Sequence, residues 1–145
     1  VRAHLVQELA QELGANLIDP HLAYLTAAKA VQSPLAQCYE VLEEIPVHEK
    51  QLKKWVRERG FTALTIKKRG VDLVPEKMRA TLLAGGAGKK SGKKAAKNQG
   101  YNPATLVFTR VGFGQQARRI GWHVRPADFS DLAQVSSSDT KNSVV

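Results

Sequence analysis

Thirty-seven residues in the middle of the chain, VHEKQLKKWVRERGFTALTIKKRGVDLVPEKMRATLL (Val47–Leu83), decide the fold. They read as helix, strand, helix. Leu52, Trp55 and Val56 recur at helical spacing and form one apolar stripe, while Lys50, Lys54 and Arg57 occupy the opposite side. Glu49 and Lys53 are spaced as an i,i+4 ion pair, and Gly60 supplies the left-handed residue that commonly ends a helix. From Thr62 to Arg69 the pattern changes to alternation. Leu64 and Ile66 take one face, and Thr65, Lys67 and Arg69 take the other, as in a half-buried strand with a basic outer side. Pro75 suits the first turn of a second helix, whose apolar side is Met78 and Leu82.

Upstream, Leu5, Leu9 and Leu13 repeat every four residues, and Gly14 follows, so Val1–Leu13 reads as a helix. Asn16–Ile18 and Leu22–Leu25 are short apolar pieces split by Asp19-Pro20, a turn. Ala27–Pro34 is a connector. Leu35–Val47 reads as a strand, with Leu35, Tyr39, Val41 and Ile45 on one face, ended by Pro46.

Downstream, GGAGKKSGKKAAKNQG (Gly85–Gly100) has nothing to bury and is expected to be a flexible basic insertion. Ala104–Arg110 and Gln115–Val124 read as a strand pair joined by a turn at Gly112-Phe113-Gly114. Residues 125–145 turn polar and read as a tail, disordered from Ser136 onward. Three or so helices and five or six strands, mostly antiparallel, place the chain in the α+β class, with helices packed on a sheet over residues 1–124.

The net charge of +9 is unevenly distributed. Residues 1–76 hold 10 basic and 10 acidic side chains; residues 77–145 hold 12 and 3. Between Lys77 and Arg125 there are 11 Lys/Arg and no acid. Such asymmetry favours a polyanionic partner through attraction to phosphate and counterion release. The nucleic-acid candidates are Lys67, Lys68 and Arg69 at the strand end, Lys54 and Arg57 with Lys50 on the helix, and Arg110 with Arg118 and Arg119; the Lys89–Lys97 run would add attraction without a defined site. Against this stands the ordinary role of exposed charges in keeping a small domain in solution. Trp55 reads as core, whereas Trp122 and Phe113 could stack on bases only if exposed.

Catalytic chemistry finds little footing. His4, His21, His48 and His123 lack metal-ligand spacing, so no metal is expected. Cys38 reads as a small core residue and, as the one cysteine, fits a reducing cytoplasm. Glu43 and Glu44 point to opposite faces of a strand. Gly88-Lys89-Lys90 and Gly92-Lys93-Lys94 lack the Ser/Thr of a phosphate-binding loop, and no Gly-x-Gly-x-x-Gly is present, so no cofactor and no catalytic residue are assigned. No apolar run is long enough to span a bilayer. A chain that opens on Val1 and holds one methionine, Met78, is expected to be part of a longer protein.

The segments LIDPHLAYLT (Leu17–Thr26), SPLAQCYEVLEEIPV (Ser33–Val47), KQLKKWVRERG (Lys50–Gly60), LTIKKRGVDLVPEKMR (Leu64–Arg79) and ATLVFTRVG (Ala104–Gly112) resemble the THUMP-like domain that closes a family of actinobacterial class I S-adenosylmethionine-dependent methyltransferases. Ile66–Asp72 with Pro75 is the most specific part. The resemblance implies a catalytic domain ahead of Val1 that holds S-adenosylmethionine, and an accessory role for this piece in gripping RNA. The Gly85–Gly100 insertion departs from the family's compact pattern. A rival expectation is a structural cap without nucleic-acid binding, docking on the catalytic domain or a second copy through Val1–Leu13 and Trp122.

Overall fold

A computed structural model describes residues 3–19, 21–84, 100–112, 114–129 and 143–144. The elements in chain order are α1 (Ala3–Leu13), β1 (Asn16–Leu17), β2 (Leu25–Ala27), β3 (Tyr39–Ile45), α2 (Glu49–Arg59), β4 (Ala63–Lys68), α3 (Pro75–Leu83), β5 (Pro103–Val111), a 3-10 turn at Gly114–Gln116, β6 (Arg118–Pro126) and β7 (Ser143–Val144). The class is α+β. The chain divides into two compact units, one of Val1–Leu42, Arg110–Arg118 and Val124–Val145, the other of Glu43–Thr109 and Arg119–His123.

The second unit is built on the quoted stretch. Leu52 and Val56 of α2 are buried, as the stripe requires, and Trp55 is half-buried. Gly60 has φ 68°, and its N–H closes the helix on the carbonyls of Arg57 and Val56. The Glu49–Lys53 spacing does not produce the helix's ion pair; Lys54 and Glu58 approach instead, at 3.7 Å, with both side chains largely exposed. Leu64 and Ile66 of β4 turn inward and Thr65 outward. Pro75 begins α3, and Leu82 is buried with Met78 packed against the same core. This core joins Leu52, Val56, Leu64 and Ile66 to Leu106 and Phe108 of β5.

Strands of this unit follow the order β3-β6-β5-β4. β4 and β5 pair in parallel, with Ala63 opposite Pro103 and Lys68 opposite Phe108. This departs from the antiparallel expectation for neighbours. The reason is the helix between them: parallel strands need a crossover, and α3 lies on that crossover. Gly121 of β6 leaves room for Phe108; a Cβ there would stand 2.9 Å from Phe108 Cε1 and 3.0 Å from Ile45 Cγ1.

In the first unit the strand order is β1-β2-β7-β3. β3 is shorter than the Leu35–Val47 pattern suggests: Leu35 is 74% exposed and precedes the strand. The polar tail was expected to lack order, yet Arg125 and Pro126 belong to β6, and Ser143–Val144 pairs antiparallel with both β2 and β3. A strand paired on both sides satisfies its backbone groups without apolar side chains. The rest of the tail from residue 130, the Gly85–Gly100 insertion except Gly100, Phe113 and Pro20 lie outside the described residues. Cys38 is buried with a free thiol. Among the described residues, no helix is long and apolar enough to cross a membrane.

Candidate nucleic-acid interface

Alternation along β4 divides the cations at its end. Leu64, Ile66 and Lys68 share the side that faces the helical core; Thr65 and Lys67 share the other. Lys67 is half-buried, and Lys68 and Arg69 are exposed. The chain turns here: Gly70 has φ 68°, a left-handed conformation that glycine adopts without strain. The turn is pinned to β5, because Arg69 N–H donates to the Phe108 carbonyl at 3.0 Å. Lys68 Nζ reaches the Val71 carbonyl at 3.5 Å, a long contact that leaves its charge uncompensated there.

Lys54 and Arg57 lie on the exposed face of α2, opposite the buried Leu52 and Val56. Lys54 is loosely paired with Glu58. Arg59, in the last turn, is committed elsewhere: its Nη2 lies 2.8 Å from each oxygen of Glu43, and its guanidinium stands over the Trp55 ring. Arg110, expected to contact phosphate, donates from Nε to Asp19 Oδ2 at 3.0 Å, both residues lying in the first unit. Asp19 is 3% exposed, so much of Arg110's charge serves a buried carboxylate.

Beside the β4 turn, the second unit has an open cleft of about 520 Å3. Its apolar lining includes Val71, Leu73, Met78 and Phe108. Exposed Lys77 from α3 and Arg119 from β6 border it, as do the carboxylates Glu49 and Asp72. His48 and Val74, the residues before α2 and α3, line the cleft, and neither side chain caps its helix. The sequence pattern missed Lys77 as a site residue, because one lysine on a short helix gives no signal without the fold. Arg119 was a candidate from charge alone.

Of the two aromatic candidates, Phe113 lies outside the described residues. Trp55 packs against Phe61 and His123 with ring centroids 5.3 and 5.4 Å apart, and Trp122 is half-buried. His123 Nδ1 stands 3.6 Å from Glu43 Oε1, too far for a hydrogen bond, and has no other partner among the described residues. Burial pushes its pKa down and Arg59 adds to this, against the opposing pull of Glu43. Among the described residues no cluster of three or more His, Cys, Asp or Glu is arranged to hold a metal.

Comparison with known proteins gives a family and a context. The pattern described as THUMP domain-like matches residues 36–126. Two curated proteins of Mycobacterium tuberculosis, from two strains and each named an uncharacterized S-adenosylmethionine-dependent methyltransferase, are 28% identical over 127 residues, which is 88% of this chain. The chain spans only 31% of the length of each. No solved structure matches.

Proposed function

Because the chain belongs to the THUMP domain-like family, we propose that it is the non-catalytic, C-terminal substrate-recognition domain of an S-adenosylmethionine-dependent methyltransferase, and that the substrate it grips is RNA. The observation that carries this reading is the β4 turn. Lys67, Lys68 and Arg69 are consecutive, two of them exposed, and the turn is tethered to β5 through the Arg69 backbone. Lys54 and Arg57, exposed on α2, add to the positive field, and Arg110 contributes to it while it holds Asp19. The catalytic domain of the same polypeptide would be the partner, and would carry the S-adenosylmethionine and the methyl transfer. A cytoplasmic enzyme fits the free Cys38 thiol.

Fluorescence anisotropy with a labelled structured RNA tests the assignment. The 145-residue chain should bind, and simultaneous replacement of Lys67, Lys68 and Arg69 by Ala should weaken binding at least tenfold, by about 1.4 kcal/mol or more. Equal affinity of the two proteins would remove the site. Sedimentation with and without RNA separates the rival structural role, in which the chain would associate with itself or a catalytic domain and ignore RNA.

A further inference from the structure

We infer that the cleft between the β4 turn and α3 is a nucleotide pocket, which takes one unstacked nucleotide of the RNA; the inference rests on the RNA-binding reading above. The cleft adjoins the basic turn directly, since Val71 lines it and accepts the long contact from Lys68, and Phe108 lines it and accepts from Arg69 N–H. RNA held at Lys68, whose Nζ lies 3.5 Å from the carbonyl of the lining residue Val71, would lie beside its mouth.

The lining chemistry matches a nucleotide part by part. Val71 and Phe108 are buried and Met78 half-buried, an apolar floor for the face of a base, with the polarizable Met78 thioether suited to a flat π-surface. Glu49 and Asp72 are acceptors for base amino groups and ribose hydroxyls. The side chains of Lys77 and Arg119 are exposed and, among the described residues, have neither an ion pair nor a hydrogen bond, although two carboxylates border the same cleft. They are available to a phosphate. At about 520 Å3 the space lies within the usual size range for small-molecule sites, roughly 300–1,000 Å3. A purely electrostatic RNA surface would need no apolar floor, and a structural gap in the core would need no pair of unpartnered cations.

Met78 is the one methionine of the chain, so a 13C-methyl label gives a single resonance from inside the pocket. Uridine monophosphate, and separately a short single-stranded RNA of mixed sequence, are titrated while RNA binding is followed in parallel by anisotropy. The Met78 resonance should shift saturably with both. Uridine without phosphate should bind more weakly, and the Lys77→Ala/Arg119→Ala variant should raise the mononucleotide midpoint about tenfold or more. A Met78 resonance unmoved by nucleotide and by bound RNA overturns the pocket and leaves the basic turn as the RNA site. A resonance that moves with nucleotide, in a chain whose anisotropy shows no RNA binding, keeps the pocket as a free-nucleotide site and overturns the RNA reading. A shift equally strong in the double variant contradicts the phosphate roles of Lys77 and Arg119.

Discussion

Asp19 and Arg110, 91 residues apart in sequence, meet in the fold: Arg110 Nε donates to Asp19 Oδ2 at 3.0 Å, and the Asp19 backbone neighbour His21 donates its N–H to Oδ1 at 2.7 Å. Burial alone would raise the Asp19 pKa, but these two donors and the Arg110 charge outweigh it and hold the carboxyl below its ordinary value. Removing Arg110 leaves a buried carboxylate without its counter-charge. Arg110→Ala should cost about 1–3 kcal/mol in urea denaturation, less than the 3–5 of a fully buried pair because the Arg110 side chain is 39% exposed. A loss of RNA binding in that variant would thus carry a folding component.

The same carboxylate sets a pH dependence. Its folded pKa lies below its unfolded value of about 3.9, so its contribution to stability is complete above roughly pH 5 and is lost as pH falls through the folded value. The stability difference between the parent chain and Asp19→Asn should be flat from neutrality to about pH 5 and shrink below pH 4. A difference that stays constant down to pH 2 would show that charge on Asp19 is not what matters.

His123 acts in the opposite range. Its folded pKa is pushed below the unfolded value of about 6.5, so the folded chain binds fewer protons and stability rises as pH climbs from the folded value to about 6.5, then levels. The groups facing the ring are Trp55, Phe61 and the Glu43 carboxylate. His123→Phe keeps the aromatic packing and should flatten that slope in denaturation curves below about pH 6.5. An unaltered slope would place the titrating group elsewhere.

How much of this was legible follows the length of each pattern. α2 and β4 each repeat their period over several residues, and Gly60 and Pro75 mark boundaries chemically, so the central helix–strand–helix unit is readable from Leu52, Val56, Leu64 and Ile66. β1, β2 and β7 have two or three residues each, too few for a period, and β7 pairs through backbone groups that no side-chain pattern records. The parallel β4–β5 pairing spans the unpatterned lysine-rich insertion. Arg110 looked like a free cation because its partner is distant in the chain. The cleft was invisible for the same reason: Met78, Phe108 and Arg119 come from three separate elements.

Gly121 offers a packing test. An added Cβ would crowd Phe108 Cε1 at 2.9 Å and Ile45 Cγ1 at 3.0 Å, both in the core. Gly121→Ala should lose about 1–3 kcal/mol in denaturation, and Phe108→Leu in the same chain should recover part of it. Strictly additive losses would mean that Phe108 is not the obstacle.

The most direct measurement is the salt dependence of RNA affinity. Each phosphate neutralised on a single strand contributes about 0.7 to the slope of log affinity against log salt. If Lys67, Lys68 and Arg69 each hold a phosphate, their replacement by Ala should reduce that slope by roughly 2 as well as weaken binding. An unchanged slope and affinity in the triple variant, or no RNA binding by the parent chain at low salt, would contradict a substrate-gripping role for the β4 turn.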